Sequence, residues 1–127
     1  MTQPQTGQAA ELRYVVGVED TATAVGSGDV PVLATPRLLA WAEAASVTAL
    51  ADVLTEPNTS VGTRVELDHR AASPVGATVT VRAEVVAVDG RLVRFEVIAH
   101  HSDGTVVAHG RITRVIVDRG RFLDRVT

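Results

Sequence analysis

Two strand-like runs meet at Asp89-Gly90, and that junction limits the fold more than any other feature of the 127 residues. From Thr78 to Val88, apolar Val79, Val81, Ala83 and Val85 alternate with Thr78, Thr80, Arg82 and Glu84. Such a period of two marks a half-buried strand. Asp-Gly is a strong signal for a two-residue hairpin. Leu92 to His100 then returns with Val93, Phe95, Val97 and Ala99 inward. A loop this short joins only antiparallel neighbours.

The same reading extends outward from the hairpin. Val61 to Ala71 alternates, with Val65, Leu67 and His69 on one side and Glu66, Asp68 and Arg70 on the other. Ser73-Pro74-Val75-Gly76 and Ser102-Asp103-Gly104 read as turns, and Thr105 to Asp118 as a last long strand. Leu12 to Val18 is an expected first strand, after a loose tail over 1–11. Residues 19–30 are small or turn-forming and read as loop. The one long helix is expected from Pro36 to about Leu54. Thr35 is its expected N-cap, and Pro57 limits its end. The expectation is an α+β chain: a tail over 1–11 and one domain over 12–127, with an antiparallel sheet around a central helix.

Composition excludes several chemistries. There is no Cys, so no disulfide, thiolate metal site or Cys nucleophile exists. All twelve basic residues are Arg, which removes any Schiff-base lysine. A net charge of −3 argues against a nucleic-acid surface. Residues 1–10 have neither the basic start nor the apolar run of a signal peptide, and no stretch is apolar enough for a membrane span. A cytoplasmic chain without membrane contact is expected. His100, His101 and His109 lack metal-ligand spacing, and Gly26-Ser27-Gly28 does not open a phosphate-binding helix, so no metal is expected.

Three residues stand out. On a helical wheel Glu43 falls in the middle of a stripe formed by Leu39, Val47, Leu50 and Leu54. A carboxylate there needs a partner or a task. Thr35 serves as a cap or as a reactive hydroxyl. His69 lies on the apolar face of its strand, as a packed core residue or as a proton carrier. Hydroxyl, carboxylate and imidazole together suit nucleophilic and general acid–base work.

The residues around these three resemble a known family. The run Val32-Leu33-Ala34-Thr35-Pro36, the helical Trp41-Ala42-Glu43-Ala44-Ala45, Ser60-Val61-Gly62-Thr63 and the stretch from Val65 to Gly76 are similar to the hotdog thioesterases typified by fluoroacetyl-CoA thioesterase. The pattern is Thr, Glu eight residues on, Gly seven residues before His, then Ser-Pro-x-Gly. The resemblance runs from about residue 12 to 117. It implies a hotdog fold and hydrolysis of an acyl-CoA or acyl-carrier thioester. It assigns catalytic roles to Thr35, Glu43 and His69 and substrate-binding roles to Gly62 and Arg114. It implies no cofactor beyond the coenzyme A of the substrate.

The resemblance further implies a homodimer, or a tetramer built from it, and an exposed sheet edge argues the same way. The family's aromatic lid before the Thr has no counterpart, because residues 25–31 hold no Phe. That points to a more open pocket. Two other functions fit a hotdog domain: a non-catalytic acyl-CoA binding module, and an enoyl-CoA hydratase. Gly28-Asp29-Val30-Pro31 lacks the Asn and His that the hydratase requires.

Overall fold

The computed structural model describes residues 3–126. Residues 1, 2 and 127, at the ends of the expected tail and domain, lie outside the described residues. Five strands carry the fold: β1 (Ala9–Val15), β2 (Asn58–His69), β3 (Thr78–Asp89), β4 (Leu92–His101) and β5 (Val106–Asp118). They form one antiparallel sheet in the order β1-β3-β4-β5-β2. The helix α2 (Thr35–Ala49) lies on one face of it. A 3-10 turn (Val18–Asp20) and the short helices α1 (Ala22–Val25) and α3 (Arg119–Asp124) flank these elements.

The central hairpin forms as its alternation requires. Val79, Val81, Ala83 and Val85 of β3, and Val93, Phe95, Val97 and Ala99 of β4, are buried under α2. The turn residues are Gly90 and Arg91, closed by the Asp89–Leu92 pair, with Gly90 at φ 58°. Only glycine takes that conformation freely.

Several boundaries differ from expectation. Pairing begins well before Leu12: Gly7 N–H donates to the Val85 carbonyl at 2.9 Å, and β1 starts at Ala9. The expected tail is therefore hydrogen-bonded from residue 7 onward. β1 also ends earlier, because the Gly17 N–H turns onto the Asp20 carboxylate at 2.8 Å. The expected loop over 19–30 contains α1, whose first turn is capped by the Thr21 hydroxyl. α2 stops at Ala49. The N–H groups of Leu50, Ala51 and Val53 bond three residues back, which tightens the chain into turns before Leu54.

The buried face of α2 also differs. Leu38, Trp41, Ala42, Ala45, Ser46 and Ala49 pack inward, chiefly on β3 and β1. Trp41 stacks on Tyr14 of β1 with ring centroids 4.3 Å apart. The Leu39–Glu43–Val47 stripe is a flank of the helix, and Val47 is 49% exposed. Small side chains let the helix axis approach the sheet closely, so the Ala and Ser face wins the buried position.

A bulge in β2 sets the site's geometry. Gly62 pairs with Arg114 and Arg64 with Thr113, so Thr63 is an extra residue. An added residue reverses which face each side chain meets. Gly62 before the bulge and Leu67 and His69 after it therefore all turn toward α2.

One tight contact gives a test of this register. A Cβ at Gly110 of β5 would run into the backbone carbonyl of Glu66 on β2. Gly110→Ala should cost about 1–3 kcal/mol, as overpacking against rigid backbone does. Urea unfolding of the two proteins measures it, and equal midpoints would contradict the close β2–β5 pairing.

Candidate active site

The loop before α2 is fastened on both sides. Leu33 N–H donates to the Ser73 carbonyl at 2.8 Å, and Ala34 N–H to the Asp20 carbonyl at 2.9 Å. Arg37 Nε lies 3.2 Å from the Asp20 carboxylate. Ser73 Oγ is held 2.7 Å from His101 Nε2. These contacts fix the start of α2 against the turn that follows β2.

Thr35 is thereby placed in the first turn of the helix. The cap position falls on Ala34, whose side chain makes no capping bond. This corrects the expected N-cap. The Thr35 hydroxyl is free of capping and lies 2.7 Å from His69 Nδ1. With the imidazole proton on Nε2, the hydroxyl donates to Nδ1. His69 Nε2 is buried and makes no hydrogen bond among the described residues. Burial pushes the imidazole below its ordinary 6.5, and the Ala71 carbonyl opposes that shift. At neutral pH His69 is therefore neutral and able to take a proton.

Glu43 belongs to a second group. Its carboxylate lies 3.8 Å from Arg114 Nη1, and its side chain is 39% exposed. Gly62 faces it across β2: a Cβ there would stand 2.7 Å from Glu43 Oε2. Arg114 sits at an inward position of β5 and is only 7% exposed. Burial lowers its pKa and the Glu43 carboxylate raises it again. A guanidinium stays charged in either case.

The five sequence candidates thus form two groups within one chain. Thr35 meets His69, and Glu43 meets Gly62 and Arg114. Eight residues of helix separate Thr35 from Glu43, about 12 Å along the axis. Seven residues of strand separate Gly62 from His69, about 23 Å. Alternation and spacing alone missed Ser46 and Ser60, which hold Arg114. A Ser on the buried face of a helix is the one signal for Ser46, and membership of the Ser60–Thr63 run that for Ser60.

A concavity of about 650 Å³ lies elsewhere on the sheet, among Glu66, Arg82, Glu96 and Arg111. Neither Thr35, Glu43 nor His69 lines it. Among the described residues no three His, Asp or Glu side chains gather as a metal site, and no helix is long and apolar enough to cross a membrane.

His69 yields a prediction with a definite sign. A lowered imidazole pKa means the unfolded chain binds the proton more readily. The stability that results is complete above 6.5 and is lost as pH falls through the folded-state value. The NMR titration midpoint of His69 should lie below 6.5. His69→Gln should flatten the acid decline of folding stability; a midpoint above the ordinary value would refute the buried, neutral imidazole.

The chain is similar to known proteins in sequence and in fold. A family model described as fluoroacetyl-CoA-specific thioesterase matches residues 16–120. The fluoroacetyl-CoA thioesterase of Streptantibioticus cattleyicolor is 36% identical over 96 residues, covering 75% of this chain and 68% of that protein. The solved fluoroacetyl-CoA thioesterase FlK superposes with a TM-score of 0.89 at 28% identity, covering 98% of this chain and 96% of that one. A thioesterase superfamily member from Thermus thermophilus reaches 0.91 at 28% identity, covering 99% and 93%.

Proposed function

The chain belongs to the fluoroacetyl-CoA-specific thioesterase family, and on that premise we propose that it hydrolyses an acyl-CoA or acyl-carrier thioester with Thr35, His69 and Glu43 as catalytic residues. It is a thioesterase with a hotdog fold. A variant of FlK has been solved with fluoroacetate and CoA, which supports a CoA thioester as the substrate class here. The observation that carries the residue assignment is the 2.7 Å approach of Thr35 Oγ to His69 Nδ1.

Thr35 Oγ attacks the thioester carbon while its proton passes to His69 Nδ1. The positive end of α2 lies beside the developing oxyanion. The carbon–sulfur bond breaks, the departing thiolate takes the proton from His69, and an acyl ester remains on Thr35. A water molecule loses a proton to Glu43 and attacks the ester carbon; the bond to Thr35 Oγ breaks, the free acid leaves, and Thr35 Oγ takes the proton back from Glu43. Coenzyme A enters as part of the substrate, and no metal or separate cofactor takes part. The enzyme is proposed to act in the cytoplasm. Residues 23–31 before Thr35 are exposed and carry no aromatic side chain, which supports a roomy acyl pocket. The Gly28–Pro31 segment brings no His to the site, so no observation favours the hydratase.

Glu43 reaches that water only from a second copy. Both edges of the sheet are free among the described residues; the β2 edge carries exposed Val65, 42% accessible, and Val47 of α2 is exposed as well. Antiparallel pairing of two β2 edges about a point between Val65 and Glu66 would set Gly62 opposite His69 of the partner subunit. Glu43 would then face Thr35 of the partner subunit, and a homodimer would hold two composite sites.

Two experiments test this reading. Thr35→Ala and His69→Ala should each lower turnover of an acyl-CoA by about 10²–10⁴-fold. Thr35→Ala should cost no more than about 1.5 kcal/mol of stability, the worth of one hydrogen bond, because Thr35 caps nothing. Undiminished turnover in both would sink the assignment. Mixing and refolding equal amounts of His69→Ala and Glu43→Gln should restore about a quarter of the unaltered activity, since half the dimers then hold one intact site. A mixture as inactive as its parents would refute the composite site.

A further inference from the structure

The resemblance gives Arg114 and Gly62 to the substrate, but their contacts in this chain point inward. Arg114 Nε donates to Ser60 Oγ at 2.8 Å, and Nη2 donates to the Ser60 carbonyl at 3.1 Å. Nη1 donates to Ser46 Oγ at 3.4 Å and stands 3.8 Å from Glu43 Oε2. All three nitrogens of the guanidinium are engaged within the fold. Ser46 itself is fully buried and donates to the Glu43 backbone carbonyl at 2.6 Å. The side chain of Arg114 is far less exposed than that of Glu43, so Glu43 stands between the guanidinium and solvent.

We propose that Ser46, Ser60 and Arg114 form a clamp that positions the Glu43 carboxylate above Gly62, and that Arg114 acts on the reaction through Glu43 and not by touching the substrate. The inference rests on the reading that Glu43 is catalytic. A glutamate on a helix flank has three rotatable bonds, and fixing it near one geometry is what a general base requires. Ser60 precedes the β2 bulge and Ser46 lies one turn beyond Glu43 on α2. The clamp therefore ties helix, β2 and β5 together at the carboxylate. Gly62 belongs to the same device. A methyl group there would meet the mobile end of Glu43 and push the carboxylate aside, leaving the backbone where it is.

Steady-state kinetics on the purified protein with acetyl-CoA as probe separate the two roles. Arg114→Met should lower kcat by about ten-fold or more, with KM within about two-fold. Arg114→Lys, which keeps the charge, should recover part of that loss. Ser46→Ala and Ser60→Ala should lower kcat several-fold by the same criterion. They carry the test if circular dichroism shows Arg114→Met to be unfolded. Added to Glu43→Gln, each clamp substitution should have no further effect, because residues acting through one group are not additive. A raised KM with unchanged kcat, or a full extra loss in the Glu43→Gln background, would make Arg114 a substrate contact and overturn the clamp. Glu43→Gln with undiminished turnover would instead remove the catalytic reading of Glu43 itself.

Discussion

Helix α2 meets the sheet through Ala42, Ala45, Ser46 and Ala49, and that close approach governs where everything else goes. Small side chains bring the helix near β3 and β1. Its larger residues are left to either side. Leu38 and Trp41 close the core, and Trp41 is held flat against Tyr14. Leu39, Glu43 and Val47 are left on a flank of the helix, where Glu43 reaches Gly62 of β2, one of the two edge strands. A helix packed by its Leu39–Val47 stripe would have buried an ionised Glu43 in the core at high cost. Packed by its Ala face, it leaves Glu43 half-exposed at an edge with a guanidinium below it.

The candidate residues then divide along the length of α2. Its first turn carries Thr35, held against His69 by the loops that meet at Leu33 and Ser73. Its middle carries Glu43, held by Arg114 over Gly62. The distance between them is set by helix rise and cannot be shortened within one chain. The proposed pairing of two β2 edges resolves this with a two-fold axis. It would also cover the exposed Val47 and Val65 and satisfy a row of unpaired backbone groups. Assembly and catalysis would then depend on the same strand.

Much of the fold was legible in advance because it is local. The period of two in β3 and β4 and the glycine at their junction specify an antiparallel hairpin without help from distant residues, while the turn itself falls on Gly90 and Arg91. Pro36 marks the start of α2 to within a residue. The helical wheel misjudged Glu43 because hydrophobicity does not measure how closely a face can approach a sheet, and alanines score low on that scale while packing best. Thr35 looked like a cap because Thr before Pro is a common cap. The structure shifts the cap to Ala34, and the hydroxyl goes to an imidazole 34 residues away. Ser46 and Ser60 were missed because a serine matters only through the partner it reaches.

The amino-acid sequence by itself determined the elements, the antiparallel order of the central strands, and the family to which the chain is similar, since each rests on short-range period, turn chemistry or a residue pattern. Tertiary structure decided which face of α2 is buried, which side of β2 Gly62 occupies, and which of the candidate residues touch. Close packing chose the first and the extra residue at Thr63 chose the second. The third follows from both, because contacts between residues far apart in the chain exist only once helix, strand and bulge are fixed against one another.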